Sequence, residues 1–221
     1  MSGFIVLQNP AIMRTTMLRD NPPILIKAVL FDFGGVIAEE GFREGLKEIG
    51  RKNGLDPDDF YREATELIHE TGYVTGTSDE KSYWRKLREQ TGIKETDGEL
   101  REEILKRFLI RPEMLRYVEK LKSSGYIVAI LSDQTNWLDE INDTNPFYHR
   151  FDCVFNSYKV KKSKRDPLVF RDVCSNMGIR CGNALFIDDN LDNVMRASAA
   201  GMKTLHFTDV IDFGEKISRL L

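Results

Sequence analysis

The stretch Ile26-Lys27-Ala28-Val29-Leu30-Phe31-Asp32-Phe33-Gly34-Gly35 decides how the rest of the chain is read. A short apolar run that stops at a carboxylate and two glycines is the mark of a strand buried in a parallel sheet and ending in a loop. A site is expected at its carboxyl end. Working outward, three further runs share this character: Tyr126–Leu131, Ala184–Ile187 and Lys203–Phe207, with Phe151–Phe155 as a fifth. Helical periodicity separates them. Met114, Leu115, Val118 and Leu121 fall at helix spacing before a stop at Ser123-Ser124-Gly125, and Pro167–Met177 reads as a helix ending at Gly178. Alternating strands and helices predict an α/β fold, a doubly wound parallel sheet of Rossmann-like type whose ligands gather at the carboxyl ends of its strands.

Between Ala38 and about Pro112 the strand signal disappears. Leu46, Ile49, Phe60, Ala64, Ile68, Trp84, Leu87, Leu100, Ile104 and Phe108 stand among many charges, as in a set of amphipathic helices. The expected organisation is a core of residues 25–38 and 113–221, a helical insert at 39–112, and an N-terminal extension at 1–24 in which Met13 and Met17 are alternative starts. The insert is broken at Thr71–Ser78, a loop rich in glycine and hydroxyls, before a helix starting near Asp79-Glu80.

At 221 residues the chain can bury a substantial core, and its net charge of −3 gives no chain-wide attraction to nucleic acid or anionic lipid. The only apolar run near the N-terminus, Phe4–Leu7, is too short for a signal-peptide core, and no segment reaches membrane-spanning length. Three cysteines without CxxC spacing, Cys153, Cys174 and Cys181, argue against a disulfide framework or zinc knuckle. These features point to a cytoplasmic protein, as a monomer or a homodimer, that acts on a small molecule.

Chemistry-bearing residues recur at the strand ends. They are Asp32-Phe33-Gly34-Gly35, then Ser132-Asp133, then Lys164 ahead of Asp166-Pro167, then Asp188-Asp189-Asn190. In this order and context they resemble the four motifs of the haloacid-dehalogenase-like hydrolase superfamily over about residues 25–210, with the helical insert where that family often carries a cap. The resemblance implies a magnesium-dependent phosphatase that forms an aspartyl-phosphate on Asp32, with Lys164 as the family's lysine. It also implies a metal site of Asp32, the Gly34 carbonyl, Asp188 and Asp189, and phosphate contacts from Gly34, Gly35, Ser132, Asp133 and Lys164. Physical chemistry agrees. Adjacent carboxylates after an apolar strand repel each other unless a hard cation lies between them, although they are also good helix caps. Asp189 is the first choice as direct ligand and Asp188 the second. A serine hydroxyl donates to phosphate, and a lysine offsets the acidic cluster. The surrounding Lys159, Lys161, Lys162 and Arg165 read as surface charges or as contacts for a charged substrate.

One departure stands out. Phosphatases of this family carry a second aspartate two residues after the nucleophile, where this chain has Gly34. Glycine keeps the carbonyl for the metal and loses the acid for the leaving group, so acid catalysis is impaired or relocated to Glu39, Glu40, Asp133 or water. Asp133 beside a phosphate-binding serine is also unusual, and Lys164 is its expected partner. Tyr73, Thr75, Thr77 and Trp84 are candidate substrate contacts in the insert, while Trp137 and the histidines His69, His149 and His206 read as structural. Two alternatives accompany the phosphatase: a metal-independent 2-haloacid-type dehalogenase, and a catalytically silent relative that binds a phosphorylated ligand or a partner through the same site.

Overall fold

In the computed structural model, which describes residues 25–221, all four residues of β1 (Ala28–Phe31) are fully buried, as a strand covered on both faces requires. The expected N-terminal extension at 1–24 lies outside the described residues. From β1 the chain runs through α1 (Gly41–Lys52), α2 (Pro57–Glu70), α3 (Glu80–Thr91), α4 (Asp97–Leu105) and α5 (Pro112–Ser123) before returning to the sheet as β2 (Ile127–Ser132). Then follow α6 (Trp137–Thr144), β3 (Cys153–Asn156), α7 (Ser157–Val160), α8 (Leu168–Asn176), β4 (Ala184–Asp188), α9 (Leu191–Ala199), β5 (Lys203–His206) and α10 (Val210–Leu220). The strands pair in the order β3-β2-β1-β4-β5, all parallel, so the chain winds outward from β1 and then crosses back to wind the other way. Each expected strand is present, with its ends within two residues of those read from the sequence.

Alternate residues of the central strands face opposite layers. Val29, Phe31, Val128, Ile130, Leu185 and Ile187 join one apolar cluster, and Ala28, Leu30, Ala129, Leu131, Ala184 and Phe186 join the other. All the insert positions expected to be apolar anchors, from Leu46 to Phe108, pack into the first cluster, so the helices and the sheet share one continuous core. Local signals fix where the insert helices start. The Asp56 side chain accepts from the backbone N–H groups of Asp58 and Asp59 ahead of Pro57, Asp79 caps α3 through Ser82 N, and Thr96 with Glu99 forms a reciprocal capping box at α4.

Candidate active site

The parallel register brings the carboxyl ends of β2, β1 and β4 side by side. Phe31 is level with both Ile130 and Ile187, and the Asp32 N–H donates to the Ile187 carbonyl at 2.8 Å, so Ser132, Asp32 and Asp188 emerge at one edge of the sheet. This is the crevice beyond the strand ends, beside the point where the winding reverses. Lys164 enters it from the loop between α7 and α8.

The Lys164 side chain is 1% exposed, and its ammonium donates to Asp32 Oδ1 at 2.8 Å and to Asp188 Oδ2 at 2.7 Å. Burial alone would strip its proton. Asp188, Asp32 and Asp133 outweigh that effect and hold its pKa above the ordinary lysine value. Asp32 Oδ1 also accepts the Phe33 N–H at 2.7 Å, so one oxygen is held by two donors and Oδ2 has none among the described residues. Asp188 accepts further from Asn190 N at 2.7 Å and Asn193 Nδ2 at 3.1 Å. Asn190, rather than either aspartate, caps α9. Capping therefore does not explain the acidic pair.

One oxygen from each of Asp32, Asp188 and Asp189 lies within 4.8 Å of the other two. Three carboxylates face the Lys164 ammonium, with the Arg43 guanidinium 3.9 Å from Asp189, and leave a formal charge of −1. Burial raises the Asp32 pKa well above the ordinary value, with Lys164 opposing and Asp188 and Asp189 adding to the rise, and Asp189 is raised by burial and by Asp188. A divalent cation of hard, oxygen-seeking type matches the donors, the spacing and the missing charge. The described residues fit magnesium.

Gly35 has φ +80°, and a Cβ there would overlap all three carboxyl atoms of Asp189, the farthest at 2.7 Å. Its place is against Asp189, outside the cavity that the other candidates line, and its carbonyl accepts from Arg111. An acidic side chain stands beside Gly34. A Cβ on Gly34 would stand 3.2 Å from Glu40 Oε2, so the Glu40 carboxyl occupies the space that a side chain at position 34 would need. Glu40 caps α1 through Arg43 N at 3.1 Å, and burial, with help from Asp189, raises its pKa. Glu39 is exposed and paired to Arg111 at 2.8 Å, away from this chemistry.

Asp32, Gly34, Ser132, Asp133, Lys164 and Asp189 line one cavity of about 210 Å³, with Asp188 fully buried beneath it. Asp133 meets Lys164 through its backbone, both carboxylate oxygens accepting Lys164 N at 2.8 and 3.0 Å, while the ammonium goes elsewhere. Of the insert loop only Val74 reaches the cavity; Tyr73 and Trp84 are core residues tied, with Trp137, to the Glu80 carboxylate. Thr75 and Thr77 bond to the Gly72 carbonyl. The far wall comes instead from α1 and α2: Phe42, Arg43, Tyr61, Thr65, Ile68 and His69. His69 is thus a cavity residue and not only a structural one, and Arg165 and Arg196 join it. The one signal for this wall was the spacing of Tyr61, Thr65 and His69, which repeats every four residues and puts them on one helix face.

A family model described as haloacid dehalogenase-like hydrolase matches residues 26–201. The chain is 24% identical to the sesquiterpene phosphatase astK of Aspergillus oryzae over 83% of its own length and 90% of that protein. It is 26% identical to the putative phosphatase YhcW of Bacillus subtilis over 81% and 82%. A (S)-2-haloacid dehalogenase of Burkholderia cepacia is 32% identical, over 42% of this chain and 41% of that one. Among solved structures, a HAD family enzyme of Bacteroides thetaiotaomicron in complex with magnesium and inorganic phosphate superposes with a TM-score of 0.65 at 26% identity, covering 83% of this chain and 94% of that one. With four motifs at the ends of a parallel sheet and a family match over most of its length, the chain belongs to the haloacid dehalogenase-like hydrolases.

Proposed function

We propose that the protein is a magnesium-dependent phosphatase that hydrolyses a small phosphorylated metabolite through an aspartyl-phosphate at Asp32. The observation that carries this reading is the convergence on one cavity of Asp32, held at one oxygen only, the buried Lys164 ammonium and the Asp188–Asp189 pair. Relatives named as phosphatases, and a structural neighbour that holds magnesium and phosphate, support it. Asp32, Asp188 and Asp189 would hold the ion, with the Gly34 carbonyl at the same edge. Bound there, magnesium supplies the charge that neutralises the phosphate oxygens.

The chain's own residues account for the rest. Lys164 and the Ser132 hydroxyl orient the phosphoryl group. Oδ2 of Asp32 forms the bond to phosphorus as the ester P–O bond breaks in line, and the departing alkoxide takes its proton from Glu40. Water then attacks the same phosphorus, the Glu40 carboxylate takes the water's proton, and the Asp32–phosphorus bond breaks. Inorganic phosphate leaves, and both side chains regain their starting states. Residues 39–112 act as a cap on the core of residues 25–38 and 113–221, and the α1–α2 wall excludes bulk water. Three free cysteines fit a cytoplasmic setting, and no helix among the described residues is long and apolar enough to cross a membrane.

The test is phosphate release from a generic aryl phosphate with magnesium and again after chelation. Turnover that needs the ion is expected. Halide release from a 2-haloacid in the presence of chelator would replace this reading with the metal-independent dehalogenase. Magnesium-dependent thermal stabilisation without release from any ester would leave a binding protein.

A further inference from the structure

Beyond the phosphoryl site, the same cavity has a second polar corner that the chemistry above does not use. It is built from three elements: Thr65 and His69 on α2, Arg165 in the loop that carries Lys164, and Arg196 on α9. Three of its four groups are short of partners. Thr65 Oγ1 is buried beside the Tyr61 hydroxyl and makes no hydrogen bond of acceptable geometry. Burial, then Arg165 and Arg196, push the His69 pKa down to about 4 against the pull of Glu66, and no hydrogen bond holds its ring among the described residues. Arg196 donates once, from Nη1 to Asn193 Oδ1 at 3.1 Å; Asp192 lies 3.9 Å away, beyond hydrogen-bond reach. Arg165 is paired on both terminal nitrogens with Glu66, at 2.7 and 2.8 Å, which fixes its charge at the rim.

A neutral imidazole within reach of two guanidinium charges and one carboxylate, Glu66, with a bare hydroxyl one turn away, leaves a corner suited to an anion. The phosphate cannot be that anion, since Asp32, Lys164 and Ser132 place it at the strand ends. The cavity is also small. Its volume of about 210 Å³ lies below the roughly 300–1,000 Å³ of sites for drug-sized ligands, and its lining is mainly polar, so a long apolar leaving group does not suit it.

We propose that Arg196 and His69, beside the Arg165 charge at the rim, receive a carboxylate on the leaving group, so that the substrates are small phosphorylated carboxylic acids. This rests on the phosphatase reading for the position of the phosphate. The planar guanidinium of Arg196 offers the carboxylate its free N–H groups, and the Thr65 hydroxyl and the His69 ring supply the remaining donors.

Calorimetric titration of the full chain in magnesium with phosphonates, which are not turned over, tests the assignment. 3-Phosphonopropionate carries the carboxylate, propylphosphonate replaces it with a methyl group, and 2-aminoethylphosphonate replaces it with a cation. The parent is expected to bind the carboxylate form about 10- to 100-fold more tightly than the alkyl form, the value of a charge-assisted hydrogen bond. Arg196→Ala should collapse that ratio, Arg196→Lys should restore part of it, and Arg196→Glu should shift preference toward the aminoethyl compound. Equal binding of carboxylate and alkyl forms by the parent, or a ratio that survives both Arg196→Ala and His69→Ala, overturns the proposal. Aryl phosphate release is scored separately. A lost carboxylate preference with intact release removes only this subsite, and an intact preference without release removes only the phosphatase.

Discussion

The floor of the cavity and its wall are built by different rules. Asp32, Ser132 and Asp188 stand where they do because three short parallel strands are held in register, so backbone hydrogen bonds place the side chains. On the wall, Glu40, Arg43, Tyr61, Thr65 and His69 are held by α1 and α2, whose apolar faces pack through Leu46, Ile49, Phe60 and Ala64. On the proposed reading the floor therefore sets where phosphorus sits, while the wall can change its side chains without moving the reaction. Chemistry belongs to the first and selection to the second. Glu40 is the exception, a wall residue that reaches the floor through the gap at Gly34.

The comparison breaks most sharply at Asp32. Asp32→Asn should lower aryl phosphate turnover by at least about 10⁴-fold while leaving the metal-free fold largely in place, because the wall and Lys164 remain. Comparable turnover in that variant, measured in the same assay, would move the nucleophile elsewhere. Next in size is Glu40. Glu40→Gln should cost about 10²–10⁴-fold on alkyl phosphates and much less on aryl phosphates, whose leaving groups need little protonation. Because a Cβ at position 34 would lie 3.2 Å from Glu40 Oε2, Gly34→Asp alone should gain nothing, two acids contending for one space. In a Glu40→Ala background the same Gly34→Asp change should recover alkyl phosphate turnover. Failure of that exchange would separate Glu40 from acid catalysis.

The same division governs what the sequence could disclose. Strand ends are legible because short apolar runs stop in order at Asp32, Ser132 and Asp188, each weak alone but together hard to explain otherwise, and a parallel sheet brings such ends together whatever lies between them. Lys164 was legible through its offset from Asp166-Pro167, though not its pairing, since nothing in Asp133-to-Lys164 spacing says that the backbone N–H and not the ammonium meets Asp133. The wall was mostly hidden. On an amphipathic helix, a polar residue aimed into a cavity and one aimed into solvent leave the same mark, so Tyr61 and Thr65 drew no reading and His69 read as structural. The hydroxyl-rich loop drew attention to Thr75 and Thr77, but their oxygens turn back to the Gly72 carbonyl.

A milder test acts on the join between floor and ion. Gly35→Ala forces a side chain into a φ of +80° and onto the Asp189 carboxylate. The backbone conformation alone should cost about 1–2 kcal/mol, and displacement of Asp189 should abolish the rise in Tm that magnesium gives the parent. Thermal melts with and without the ion separate the two effects. A variant that loses stability but keeps the magnesium increment would take Asp189 out of the metal site.

The smallest expected effect lies at Asp133, which lines the cavity next to Ser132 and meets Lys164 only through its backbone. Burial, opposed by Lys164, raises its carboxyl from 3.8 to about 6. A folded-state pKa above the unfolded value means that the folded protein holds the proton more tightly. This group therefore favours folding fully below about pH 4, and that contribution is lost as pH rises through about 6. The change amounts to roughly 1–3 kcal/mol after allowance for partial exposure. Asp133→Asn removes the titration and keeps an oxygen for Lys164 N, so it should stabilise the protein at pH 7.5 relative to the parent and do so less at pH 5. Its effect on kcat/KM should stay within about tenfold, the value of a modest hydrogen-bond change. Denaturant melts at the two pH values decide the matter. A variant equally affected at both would show that Asp133 acts through its hydrogen bonds to the Lys164 backbone rather than through its buried charge, and would place it among the residues that position the floor.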